Sequence, residues 1–147
     1  MPQKIAIVVW SKTGNTKLMA NSIKKGVEDS GFEVDIFKAY NFDLEKVKNY
    51  DKIALGCPAM GSETLEDSEF LPMYENIKTY LKDKKVFFFG SYGWGDGKWM
   101  RNWEEDAIKN GIKLFRKSII AREKPSDEIL NICYQAGKDL ANALWSL

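Results

Sequence analysis

The sequence predicts an α/β fold: a five-stranded parallel β-sheet with helices on both faces. Two observations carry this expectation. Short, continuous apolar runs recur along the chain, and such runs mark strands buried on both faces. Amphipathic stretches separate them, so strand and helix alternate five times, an order that calls for parallel strands joined by right-handed crossovers.

The elements follow in order. Residues 5–9 (IAIVV) form an apolar, β-branched run and the first strand. Residues 16–30 carry Leu18, Met19, Ile23 and Val27 at helical spacing, with Gly31 as the stop. Residues 34–37 make a shorter strand and 43–49 a short helix. The run DKIALG at 51–56 is a third strand, followed by a helix over 69–82. Residues 86–89, inside KKVFFF, are a fourth strand, followed by a helix over 99–110. Trp99 and Trp103 stand at helical spacing there and read as packing residues. Residues 113–120 form a bent or interrupted fifth strand. The last helix covers 126–145, with Ser126 as N-cap just after Pro125. No linker or repeat divides the chain, so 1–147 reads as one domain, long enough to bury a sizeable core.

Composition narrows the function. A net charge of +1 gives no global pull toward nucleic acid or membrane. The absence of histidine rules out Ser/His/Asp and Cys/His catalysis and any His-ligated metal within this chain. Cys57 and Cys133 are far apart and form no CxxC, which suits reduced thiols in the cytoplasm. The N-terminal apolar run is too short for a signal sequence, and no run has the length of a membrane span.

In an open parallel sheet, ligands bind beyond the carboxyl ends of the strands. Three loops there stand out. The first, SKTGNT at 11–16, offers hydroxyls, an amide and the free N–H groups of a helix N-terminus, a suitable seat for a phosphate. It is not a Walker A loop, since GK[ST] is missing, and it also reads as a plain β–α turn with a cap. The second, CPAMGSE at 57–63, places polarizable Met60 before Gly61-Ser62, a pair suited to a turn with φ > 0 at Gly61. Alone, it reads as an ordinary loop with Met60 tucked into the core. The third, GSYGWGDGKWM at 90–100, sets Tyr92 and Trp94 among glycines, as π-faces for a planar ligand or as covers for sheet edges. Taken together, a phosphate seat, a thioether and an indole at one end of one sheet fit a flavin mononucleotide (FMN).

The groups SKTGNT, GCPAMGSE, SEFLP and GSYGWGDGKWM resemble the short-chain flavodoxins, most of all the clostridial type, over essentially the whole length. The resemblance implies the flavodoxin-like three-layer sandwich with strand order 2-1-3-4-5, for which flavodoxins are themselves the type example. It implies a single-domain carrier of single electrons on noncovalent FMN, cycling at low potential between redox partner proteins, and not an enzyme with its own substrate. By the same resemblance, Ser11, Lys12, Thr13, Gly14, Asn15 and Thr16 match the phosphate loop. Pro58 and Ala59 lead to Met60, which matches the residue on the inner ring face. Gly61 and Ser62 match the peptide that turns over on reduction to present its carbonyl to the flavin. Glu63 matches the carboxylate that accepts from flavin N3–H. Ser91, Tyr92, Gly93, Trp94, Gly95, Asp96 and Gly97 match the third loop, with Trp94 on the outer face.

Two departures accompany the likeness. Ser62 replaces an aspartate, removing a charge near the flavin, and Pro58 replaces a small polar residue. The chain is also nearly neutral, although flavodoxins of this kind are usually strongly acidic. Its bases gather at Lys109, Lys113, Arg116, Lys117, Arg122 and Lys124, while 62–76 holds Glu63, Glu66, Asp67, Glu69 and Glu75 without Lys or Arg. The resemblance implies a reductase donor and low-potential acceptor enzymes as partners, and the uneven charge predicts that they dock transiently by charge on a monomer. The alternatives are an FMN-dependent reductase, for example of quinones, and a flavin-free interaction module on the same fold.

Overall fold

The structure is a computed structural model and describes residues 4–143. Five parallel strands, β1 (Ile5–Val9), β2 (Val34–Lys38), β3 (Lys52–Gly56), β4 (Lys85–Tyr92) and β5 (Ile119–Arg122), lie in the order β2-β1-β3-β4-β5. The expected α/β fold and strand order are thus both observed. Helices α1 (Asn15–Asp29) and α5 (Asp127–Asn142) pack on one face, and α2 (Leu44–Val47), α3 (Phe70–Ile77) and α4 (Lys98–Lys109) on the other.

The pleat sorts each strand between two cores. Ile5, Ile7 and Val9 face α1 and α5, while Ala6 and Val8 face the opposite layer. In β4, Phe87 and Phe89 join the first core and Val86 and Phe88 the second. This two-sided burial is why the central strands read as unbroken apolar runs. Phe88 stacks on Trp103 with ring centroids 3.9 Å apart, and Phe70 meets the same indole edge-on, so Trp103 is a packing residue as its spacing indicates.

Several boundaries move. The fifth strand was expected over 113–120, but the chain touches the sheet at Leu114, through a single bridge to Val86, and then leaves it. It returns as β5 five positions later, at Ile119. The helix expected over 69–82 ends at Ile77 and tightens into a 3₁₀ turn, Lys78–Tyr80. Ser126 caps α5 by accepting from Ile129 N–H at 3.2 Å. That helix stops at Asn142, and the rest of its expected span, 144–145, lies outside the described residues. Ser91 and Tyr92 belong to β4 and not to a loop, because the β4–β5 ladder runs on to pair Tyr92 with Arg122.

The functional end of the sheet is held in register beyond the strands. Trp10 N–H donates to Gly56 C=O, Cys57 N–H to Phe89 C=O, and Ala59 N–H to Ser91 C=O. The loops after β1, β3 and β4 therefore leave the sheet side by side, at the point where the strand order reverses between β1 and β3.

Candidate functional site

The first loop is closed by Ser11, whose Oγ accepts from Gly14 N–H at 3.2 Å and Lys17 N–H at 3.3 Å. Gly14 caps α1 at φ 95°. A hydroxyl thus stands among the donors that a helix N-terminus leaves free, and it can rotate from acceptor to donor when an anion arrives. Thr16 is buried and turned inward. Its Oγ1 lies 2.9 Å from Ser91 Oγ and accepts from Ser91 N–H at 3.2 Å.

A cleft of about 260 Å³ opens at this end of the sheet. Lys12, Thr13 and Asn15 line it from the first loop, Pro58, Ala59, Met60 and Gly61 from the second, and Ser91, Tyr92 and Gly93 from the end of β4. Met60 is half-buried and belongs to neither core. Tyr92 leans on Trp99, with ring centroids 5.4 Å apart. Trp94 projects into solvent, 57% exposed.

The second and third loops meet through Glu63 and Gly95. A Cβ at Gly95, which has φ 85°, would collide with the Glu63 carboxylate. Glu63 Oε1 is buried there with no hydrogen-bond partner. A buried, unpartnered carboxylate oxygen costs free energy unless a donor reaches it. A flavin, with a ring N–H and a phosphate at its far end, supplies such a donor, and the residues present fit it.

The turn itself differs from expectation. Glu63 N–H donates to Met60 C=O at 2.8 Å and Met60 N–H to Thr64 C=O at 2.9 Å, so Gly61 and Ser62 are the central residues. The left-handed residue is Glu63, at φ 56°, and not Gly61. A tight turn returning to its own start needs one such residue, and here it falls after the central pair. Ser62 Oγ pairs with Thr64 Oγ1 at 2.9 Å.

Two acids are committed to the scaffold. Glu66, one of the acids of the stretch 62–76, is buried at 4% exposure. Its carboxylate accepts from the N–H groups of Ser68, Glu69 and Phe70 at 2.7–2.8 Å and from the Ser68 hydroxyl, capping the start of α3. Burial opposes its ionisation, but the Ser68 hydroxyl and the three N–H donors outweigh that and hold it below the usual glutamate range. Asp96 is exposed and pairs with Arg101 at 2.9 Å, which fixes the loop onto α4 and keeps its carboxyl below the usual aspartate range. Gly97 starts that helix at φ 92°.

Cys57 lies beneath the cleft. Its C=O accepts from Trp99 Nε1 at 3.1 Å, and burial pushes its thiol up to about 12, too high for a nucleophile at neutral pH. Two cleft residues were missed in the sequence. Trp10 closes the apolar run of β1 and donates from Nε1 to Glu69 at 2.9 Å. Glu123, at φ 57°, donates its N–H to Tyr92 C=O at 2.7 Å. An aromatic at the mouth of the phosphate loop was a signal for the first. Nothing in the basic stretch around Glu123 marked the second.

A doubly wound sheet with a phosphate-type loop at its switch point and a ring-sized cleft beside it defines an α/β protein of the mononucleotide-binding class. Comparison with known proteins decides within that class. The flavodoxin family model matches residues 7–137. The chain is 46% identical to a flavodoxin of Clostridium beijerinckii over 92% of its own length and 98% of that protein's. It is 40% identical to a flavodoxin of Megasphaera elsdenii, over 95% and 99% of the two lengths. The solution structure of two-electron-reduced Megasphaera elsdenii flavodoxin superposes with a TM-score of 0.81 at 39% identity, over 95% of this chain and 99% of that one. The chain belongs to the flavodoxin family. It is an FMN-binding electron carrier and not an enzyme with a substrate of its own, and these likenesses do not favour the reductase alternative.

Proposed function

We propose that the cleft holds one FMN noncovalently and that the protein carries single electrons at low potential between a reductase and low-potential acceptor enzymes. FMN supplies a flat ring that takes up electrons one at a time. The chain's own residues bind, orient and shield it. The loop Ser11, Lys12, Thr13, Gly14, Asn15 and Thr16 receives the phosphate on N–H groups at the positive end of α1. Thr16 acts through Ser91, holding the loop against β4. Met60 and Trp94 cover opposite faces of the ring, while Pro58, Ala59, Tyr92 and Gly93 form its floor and wall. Glu63 accepts from the ring N–H, Gly95 leaves the space for that carboxylate, Gly61 and Ser62 present the turn to the ring edge, and Asp96 and Gly97 hold the third loop in place.

The observation that carries this reading is the buried, unpartnered Glu63 Oε1 beneath Gly95. The test is acid release followed by mass spectrometry of the purified protein. One FMN per chain is expected, and FAD or no flavin contradicts the reading.

Partners dock transiently by charge on the exposed acids Asp67, Glu69 and Glu75, with Glu66 removed from that rim by its capping role. One sheet carrying both cores supports the reading of 1–147 as a single domain, and we take it to work as a monomer. Two free, buried thiols suit a reducing compartment, and we place the protein in the cytoplasm. Among the described residues, no helix is long and apolar enough to cross a membrane.

A further inference from the structure

We propose that Lys12, Lys17 and Lys38 form a cationic wall outside the phosphate loop that selects the phosphorylated flavin over the unphosphorylated one. The proposal rests on the reading of 11–16 as the FMN phosphate seat. The three lysines come from three elements: the loop, the first turn of α1 and the last residue of β2. They converge on one pocket of about 440 Å³ that backs onto Ser11 and Gly14 of the loop. Glu69 is the one carboxylate in that lining, and its Oε1 already accepts from Trp10 Nε1. None of the three lysines makes an ion pair among the described residues, whereas Lys25, Lys78 and Arg101 do.

Three lysines against the single carboxylate of Glu69 leave the pocket net positive, and an anion seated beside them relieves their mutual repulsion. The N-terminus of α1 points at the same place and adds a field of the same sign. The cleft itself carries Lys12 and one carboxylate, Glu123, and Glu63 and Asp67 line a separate hollow past the second loop. The positive charge of the site is therefore concentrated behind the phosphate loop, where Lys12, Lys17 and Lys38 gather. A neutral ribityl alcohol gains nothing from the positive end. A phosphate dianion gains from all three lysines, by an amount that salt screens.

The test is an exchange experiment on the holoprotein. FMN-loaded protein is equilibrated with excess riboflavin, and the ratio of retained flavins is read by chromatography. From low salt to about 0.5 M, the preference for FMN should fall roughly tenfold as the Debye length contracts to a few ångströms. The triple variant K12Q/K17Q/K38Q should show a preference lower by roughly tenfold at low salt and nearly flat with salt, for the same screening reason. The corresponding triple arginine variant should behave like the parent. At equal ionic strength, inorganic phosphate should lower the preference more than chloride, because it competes for the same seat.

A parent preference indifferent to salt, or a glutamine variant identical to the parent, overturns the wall while leaving FMN binding intact. Failure of the chain to hold any flavin overturns the wall and the cleft reading together. If phosphate raises the melting temperature of the holoprotein without changing flavin preference, the lysines serve a separate anion and the proposal is wrong.

Discussion

The Thr16 hydroxyl lies 2.9 Å from the Ser91 hydroxyl, and both are buried. This contact joins the start of α1 to the end of β4 across 75 residues of sequence. Thr16 also takes the Ser91 N–H. Removing its oxygen while keeping its shape leaves a buried N–H and a buried hydroxyl without partners. Thr16→Val should therefore cost about 1–3 kcal/mol of stability. Denaturant unfolding should show a lower midpoint with an unchanged slope, and flavin titration should show weakened FMN binding because the phosphate loop has lost its anchor.

Two glycines should respond differently to alanine. Gly95→Ala puts a Cβ onto the Glu63 carboxylate at a left-handed φ, so it should sharply weaken flavin binding and cost on the order of 1–2 kcal/mol. Gly61 has open space around it and an ordinary φ. Gly61→Ala should leave stability and binding of oxidised FMN unchanged. If the turn at Gly61 rearranges on reduction to a left-handed φ, the first reduction potential should drop by about 40 mV, the one-electron equivalent of ~1 kcal/mol. Potentiometry on the two proteins separates these outcomes.

Glu66 should make stability fall in acid. Its folded pKa is depressed, so its contribution is complete above the unfolded glutamate value of ~4.3 and is lost as pH falls through the folded value. Glu66→Gln keeps an acceptor but loses the charge, and should cost about 1–3 kcal/mol near neutrality. The gap between the two proteins should close toward strongly acidic pH. A gap constant with pH would mean that the carboxylate charge contributes nothing to the cap.

The partner rim is best probed at Asp67, which is exposed and makes no ion pair among the described residues. Asp67→Lys should slow electron transfer from a basic-faced reductase and weaken its dependence on salt. Lys117→Glu, far along the chain beside β5, should have a smaller effect. Stopped-flow reduction at several salt concentrations compares them, and equal effects would remove the acidic rim from docking.

Much of the fold was legible because β1, β3 and β4 are buried on both faces and their residues advertise it. Strand β5 was blurred because the chain touches the sheet at Leu114 and leaves again, so one apolar stretch contains a bridge and a separate strand. The three loops could be read from their chemistry. The burial of Glu66 could not, since an acid before a helix looks the same whether it faces water or folds back onto N–H groups. Trp10 was hidden by its position at the end of an apolar run. The placement of the left-handed residue at Glu63 depends on how the turn closes on Thr64, which composition does not encode.

The central claim is that this cleft holds FMN as a carrier of single electrons. Anaerobic spectroelectrochemical titration of the purified protein tests it most directly. One flavin per chain, reduced in two separate one-electron steps with the second at low potential, is expected. A single two-electron step, or a protein with no flavin absorbance, would contradict it.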